Sequence, residues 1–257
     1  MTSHVTIGLR NTQVTRDRER LRYALRMAEA LPLFPLGSVL FPGLVLPLHV
    51  FEERYQALVR DLLDRPADET REFGVVAIQR GWEVERVGAF TAPTASLTLH
   101  EVGCSAELRQ VTSLEDGRYD IVTVGRRRFR LGEVDRTAAP YLTAEVEWLA
   151  EPAGEPGLAD ALAPGVLALF QRYLQGIRAQ TDGTGEQLPD DPTVLSYLVA
   201  ATASLSLEDR QRLLAVPDTA ARLRAERLLL HREVALLSQV RAVPVPLADL
   251  AVPISPN

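Results

Sequence analysis

LPLFPLGSVLFPGLVLPLHVFEERYQALVRDLL, residues 31–63, is the stretch whose reading decides the fold. Two apolar runs broken by Pro and Gly lead into a helical pattern. Leu31–Leu36 reads as a short extended piece. Pro32 and Pro35 each lack the N–H that a strand ladder uses, which predicts a sheet edge or a bulge. Leu40-Phe41-Pro42-Gly43 reads as a turn, because Pro presets φ at one central position and Gly accepts positive φ at the next. Leu44–Val50 reads as a second strand. Glu52 and Glu53 suit the positive end of a helix, and Tyr55, Leu58, Val59 and Leu62 follow at helical spacing.

Outward from this stretch, Phe73–Ile78 is a nearly continuous apolar run of strand length. Gly81–Gly88 reads as strand plus loop and Ala89–Ser96 as a surface loop. Leu97–Cys104 leads into Ala106–Val111, and Glu115-Asp116-Gly117 marks a turn. Tyr119–Val124, Arg128–Leu131 and Tyr141–Leu149 are further extended pieces. Short strands with one helix predict a twisted, barrel-like antiparallel domain over residues 31–150. Glu151–Gly157 (EPAGEPG) reads as a linker. Beyond it the apolar period becomes helical: Leu162, Val166, Leu169, Phe170, Tyr173, Leu174 and Ile177 form one stripe. Asp191, Ser206 and Asp218 each sit where a helix N-cap is wanted. The class is therefore α+β, with a small helical bundle over residues 158–240. Residues 1–30 read as an Arg-rich extension of low order, with Met27 as an alternative start of translation. Residues 241–257 hold four prolines and read as an irregular tail.

Composition narrows the chemistry. The chain has 257 residues, 46% of them hydrophobic, which is enough for a core. No apolar run approaches the roughly 18 residues that span a bilayer, and residues 1–30 lack an apolar signal region. Cys104 is the sole cysteine, so no internal disulfide forms and a cytoplasmic setting is expected. All 28 basic residues are Arg. Without Lys this chain encodes no Walker A ATPase, no Ser-Lys peptidase dyad and no Schiff-base enzyme. The net charge is −6, and residues 31–257 carry 22 Arg against 31 acids. Such an acidic body argues against broad capture of nucleic acid.

One family shares these motifs in this order. Leu31–Leu36, Leu40–Gly43, Pro47-Leu48 and the helix Phe51–Leu63 resemble the start of the substrate-binding domain at the amino terminus of the Lon ATP-dependent proteases. The likeness continues through Val102-Gly103, Asp116-Gly117, Tyr119–Gly125 and Arg127-Arg128-Phe129-Arg130. It ends in the helices with Asp209-Arg210-Gln211, Arg222-Leu223 and Arg232-Glu233. Cys104, after Val102-Gly103, departs from the pattern. The resemblance implies a PUA-like sheet domain followed by helices, and non-catalytic recognition of polypeptides in protein quality control. The ATPase and protease parts of that family are excluded here by the lack of Lys, and no cofactor is expected.

Candidate residues follow. Phe34, Phe41, Leu44, Leu46 and Trp82 are candidate polypeptide contacts. Leu44, Leu46, Leu48 and Phe51 either leave an apolar strip beside an edge strand or belong to the core. Arg126, Arg128 and Arg130 would share one face of a regular strand. They are then an anion or RNA contact, with Phe129 as a stacking platform, or an outer face paired to Glu145 and Glu147. His49 and Cys104 could form a nucleophilic pair if the fold joins them; structural roles are the ordinary reading. The four histidines have no metal-ligand spacing, so no metal is expected.

Overall fold

The computed structural model describes residues 30–66, 69–80, 97–178 and 188–239. The readings of residues 1–29, of 81–96 (Trp82 among them) and of 240–257 lie outside the described residues.

Strand β1 (Leu31–Leu36) runs toward a type II turn formed by Phe41–Leu44. The Leu44 N–H donates to the Phe41 carbonyl at 3.2 Å, and Gly43 sits at φ +79°. Pro42 and Gly43 occupy its two central positions, as their backbone preferences lead one to expect. β2 (Val45–Val50) and helix α1 (Glu53–Leu63) follow. α1 buries Tyr55, Leu58, Val59 and Leu62 against a core that includes Phe34, Phe73, Val75 and Ile121. Each of these burials is worth roughly 1.5–3 kcal/mol.

The remaining strands are β3 (Glu72–Arg80), β4 (Thr98–Leu99), β5 (Val102–Ser113), β6 (Tyr119–Asp135) and β7 (Thr143–Trp148), making a seven-stranded sheet. Pairing runs β1-β7-β6-β5-β3, and β3 then pairs with β1. This last pairing is parallel, unlike the purely antiparallel sheet expected. A parallel pair needs a crossover, and α1 lies in the connection that supplies it. β6 is a single strand of 17 residues where two pieces were expected. Its first half pairs with β2, its second half with β7, and β5 lies along its other edge.

β1 is not the edge strand its prolines predict. β7 pairs only with Leu31 and Pro32, and β3 pairs only from Leu33 onward. The Leu33 N–H points to β7, bonding the Leu142 carbonyl at 2.8 Å. Successive residues alternate edges, so Pro32 faces β3 before that pairing begins and Pro35 faces β7 after that pairing ends. Each proline stands where no ladder bond is lost.

A bulge in β6 resets its faces. Ala106 opposes Gly125 and Cys104 opposes Arg128, so β6 holds one extra residue between those pairs. The Arg127 N–H bonds Ser105 Oγ there at 3.2 Å. The extra residue turns Arg128 inward while Arg126, Arg127 and Arg130 stay exposed. Regular alternation would have placed Arg128 outside with Arg126 and Arg130.

Helices α2 (Leu158–Arg178), α3 (Pro192–Thr202), α4 (Leu207–Ala215) and α5 (Thr219–Gln239) complete the described chain. The three caps form where the sequence places them. Asp191 accepts from the Thr193 and Val194 N–H groups, Ser206 from Asp209, and Asp218 from Ala221. α2, α3 and α5 share a core around Val166, Phe170, Tyr173, Leu195, Leu223 and Leu230. A second apolar cluster joins the helices to the sheet, with Phe41 and Val102 packed against Tyr197, Leu213 and Leu214. The stretch read as a linker is pinned to α5. The Pro152 and Ala153 carbonyls accept from the Thr219 and Ala220 N–H groups, both at 3.1 Å. Among the described residues no helix is long and apolar enough to cross a membrane.

Glu226 is buried within α5, and neither carboxylate oxygen has a hydrogen-bond partner. Burial pushes its carboxyl well above its ordinary value of 4.5, and Arg222 opposes the shift. A carboxyl raised in the folded state contributes full stability below its unfolded pKa and loses it as pH rises. Glu226→Gln is therefore expected to raise the unfolding midpoint at neutral pH. The gain should shrink as pH falls and vanish below 4.5, where both states become neutral. A gain that stays constant from neutral to acid pH would refute this account.

Candidate functional site

β2 lies at the side of the sheet and pairs only with β6 among the described residues. The Gly125 N–H bonds the Leu44 carbonyl at 2.8 Å. By alternation, Leu46 and Leu48 direct their backbone groups to β6, while Val45, Pro47 and His49 direct theirs outward. Pro47 thus lacks its N–H at a position where no ladder bond is needed. The side chains divide in the same rhythm. Leu44, Leu46 and Leu48 are half-buried against the core, and Val45 is 62% exposed. Phe51, just past the strand, is 48% exposed. These residues make an apolar strip along a backbone edge that no described strand covers, with Val45 and Phe51 on one face and the leucines on the other.

At Leu44 the strip runs into a groove of about 710 Å³ between the Pro42-Gly43 turn and α3. Leu188, Pro189, Val194, Tyr197 and Leu198 line its helical wall, with Asp190 at the rim and Glu151 within. Val194 is 53% exposed. α3 carries no charged residue, and the face it leaves uncovered by the rest of the fold, marked by Val194, is therefore apolar. That absence of charge was the available signal for a site that the sequence reading missed.

The candidate contacts sort as follows. Leu44 and Leu46 lie on the strip, and Leu44 also lines the groove. Phe34 and Phe41 are corrected to core residues. Phe34 stacks on Tyr55 with ring centroids 4.0 Å apart, and Phe41 packs toward Tyr197 at 6.1 Å. Their rings are almost wholly buried. Trp82 lies outside the described residues.

The arginine cluster does not form the shared face that was expected. Arg128 is buried and makes four bonds: Nε to Glu151 at 2.6 Å, Nη1 to the Leu214 and Val216 carbonyls, and Nη2 to the Ala150 carbonyl. Arg126 pairs with Glu107 and Arg130 with Glu147, both at 2.8 Å. Arg127 stacks over Trp148, its guanidinium 3.7 Å from the ring centre. Phe129 is fully buried against Trp148 and is no stacking platform. The sheet's outer charges are thus met by neighbouring strands, as the Glu147 pairing anticipated.

Around Glu151 the sheet and helices interlock. The Tyr197 hydroxyl donates to Glu151 Oε2, while Arg222 stacks on the Tyr197 ring at 4.0 Å and donates to Ser196 Oγ at 3.0 Å. Burial pushes the Tyr197 hydroxyl well above the usual phenol range, so it stays a donor.

His49 and Cys104 are not brought together. His49 pairs opposite Asp120 and Cys104 opposite Arg128, eight positions apart along β6. That spacing is about 25 Å of strand. Cys104 is fully buried, and burial pushes its thiol far above the range where a thiolate forms. His49 instead bonds Asp120 at 2.6 Å. Among the described residues no group of His, Cys, Asp and Glu could hold a metal ion.

A family model described as the ATP-dependent protease La (LON) substrate-binding domain matches residues 30–232. The chain belongs to this family. Lon protease 2 of Syntrophobacter fumaroxidans is 32% identical over 202 residues, which are 77% of this chain and 24% of that protein. Lon protease 2 of Herpetosiphon aurantiacus is 32% identical over 212 residues, 80% of this chain and 24% of its own length. The chain thus spans about a quarter of the length of these curated relatives. A solved structure, the N-terminal domain of a Mycobacterium avium complex Lon protease, shares the fold. Its TM-score is 0.56 at 18% identity, covering 80% of this chain and 98% of that one. The LON-domain resemblance read from residues 31–63 therefore holds across the sheet and into α5.

Proposed function

We propose that this chain is a non-catalytic module that recognises polypeptides, holding extended or unfolded segments along β2 and in the adjoining groove. The observation that carries this reading is the open β2 edge flanked by exposed Val45 and Phe51 and continued into an apolar groove. Open backbone groups bond an added strand without regard to its sequence, and the apolar strip takes its side chains. The family's description names substrate binding. Composition removes ATP hydrolysis and Ser-Lys proteolysis, because no Lys is present. The pairing of Arg126 and Arg130 with carboxylates favours polypeptide over RNA as the occupant. In this reading the ring of strand pairings makes residues 31–150 a barrel-like domain, with residues 158–240 as its helical companion. Residues 151–157 join the two, 1–30 and 241–257 are a leader and a tail, and the module works in the cytoplasm.

Crosslinking against a reduced, unfolded model protein and its folded form tests the proposal. The unfolded form is expected to crosslink to β2 and α3, and the folded form far less. Val45→Glu and Val194→Glu lie on exposed positions, so they should leave thermal unfolding unchanged. Each should weaken capture about tenfold, because a charge must then be desolvated in the contact. Equal capture of folded and unfolded protein would sink the reading.

A further inference from the structure

We propose that the groove beside α3 selects apolar segments that carry a cationic side chain. This inference rests on the polypeptide-binding reading and names its substrate class. Among the described residues no arginine lines the groove; its charged lining residues there are Glu151 and Asp190. The two cations behind Glu151 are both used internally. Arg128 is buried on Glu151 and three carbonyls, and Arg222 is buried on Tyr197, Ser196 and the Leu213 carbonyl. The positive end of α3 is also taken, since Asp191 accepts its first N–H groups. What remains at the groove is Asp190, which is exposed. The walls, Leu44, Val194 and Leu198, are apolar. A segment that fits places an aliphatic or aromatic side chain between these walls and an Arg or Lys against Asp190. The acidic body, 22 Arg against 31 acids over residues 31–257, draws the same class of segment from a distance.

Fluorescence anisotropy with the full chain tests this. Three labelled peptides share one Phe-Leu-Val core and are flanked by Arg, by Ser or by Asp. The Arg-flanked peptide is expected to bind about tenfold tighter than the Asp-flanked one at low salt, with Ser between. Raising salt to about 0.5 M should collapse most of that ratio, as the Debye length falls to a few ångströms. Asp190→Asn should reduce the ratio several-fold while leaving thermal unfolding unchanged. Equal binding of all three peptides overturns the charge preference and leaves polypeptide binding standing. Binding of none overturns both readings. A ratio unmoved by Asp190→Asn overturns the placement in this groove. Loss of peptide affinity as protein concentration rises marks a second copy as the occupant and likewise overturns the proposal.

Discussion

Arg128→Ala is expected to lower the unfolding free energy by about 3 kcal/mol, the cost of removing a buried guanidinium that serves three carbonyls and a part-exposed carboxylate. The side chain is 1% exposed and satisfies four acceptors. Two of them, the Leu214 and Val216 carbonyls, lie at the end of α4 and have no helical donor of their own. The strand arginine therefore caps a helix, and its charge meets the negative pole of that helix. Truncation leaves these carbonyls and that of Ala150 without this donor, and it takes from Glu151 its closest cation. Arg128→Lys should recover only part of the loss, because a single ammonium cannot reproduce the planar fork that spans both elements. Urea unfolding monitored by tryptophan fluorescence and by circular dichroism would measure both. A loss under about 1 kcal/mol for the alanine variant would mean that water replaces the guanidinium freely, and the interlock would then be marginal.

Gly125→Ala is the second large effect, expected at about 3 kcal/mol or more, the upper end for overpacking. A Cβ at this position would stand 2.2 Å from the Phe41 carbonyl oxygen and 2.9 Å from its carbon. Both are backbone atoms of the type II turn, so no side-chain rotation relieves the clash. The turn is also tied to this residue, with Gly43 donating to the Gly125 carbonyl and Gly125 to Leu44, each at 2.8 Å. Moving it would displace Phe41 from the apolar cluster that joins sheet to helices. Gly165→Ala is the control, because nothing lies within 4 Å of its Cβ and a helix interior prefers Ala. It should leave stability unchanged or raise it by up to about 1 kcal/mol. Equal effects of the two substitutions in thermal unfolding would refute the steric account.

Much of the fold was legible because its signals are local. The Pro42-Gly43 turn, the helical spacing of Tyr55, Leu58, Val59 and Leu62, and the caps at Asp191, Ser206 and Asp218 each depend on a few adjacent residues. What escaped depends on partners far along the chain. The extra residue opposite Ser105 leaves no mark in Arg126–Arg130, since an inserted residue looks like any other until its partner strand is known. Arg128 was therefore placed outside. Phe34 and Phe41 suit a core or a contact equally well by composition, and only the packing of Tyr55 and Tyr197 assigns them to the core. The groove draws residues from positions 42–44, 151 and 188–198, so no window of sequence contains it. Leu44 keeps part of its surface open to the groove because it flanks a turn at the end of a strand, where apolar residues lose cover first.

The cap that Arg128 supplies to α4 also bears on how this protein could be divided. The run of prolines and glycines at 151–157 looks like a natural place to cut, yet Glu151 and the Pro152 and Ala153 carbonyls are anchors on the far side of that cut. Expressed by itself, the carboxy-terminal half would carry an unplugged helix terminus and a buried arginine, Arg222, stripped of its nearest carboxylate across the seam. The two halves are spliced by electrostatics at the very place where the backbone looks most severable.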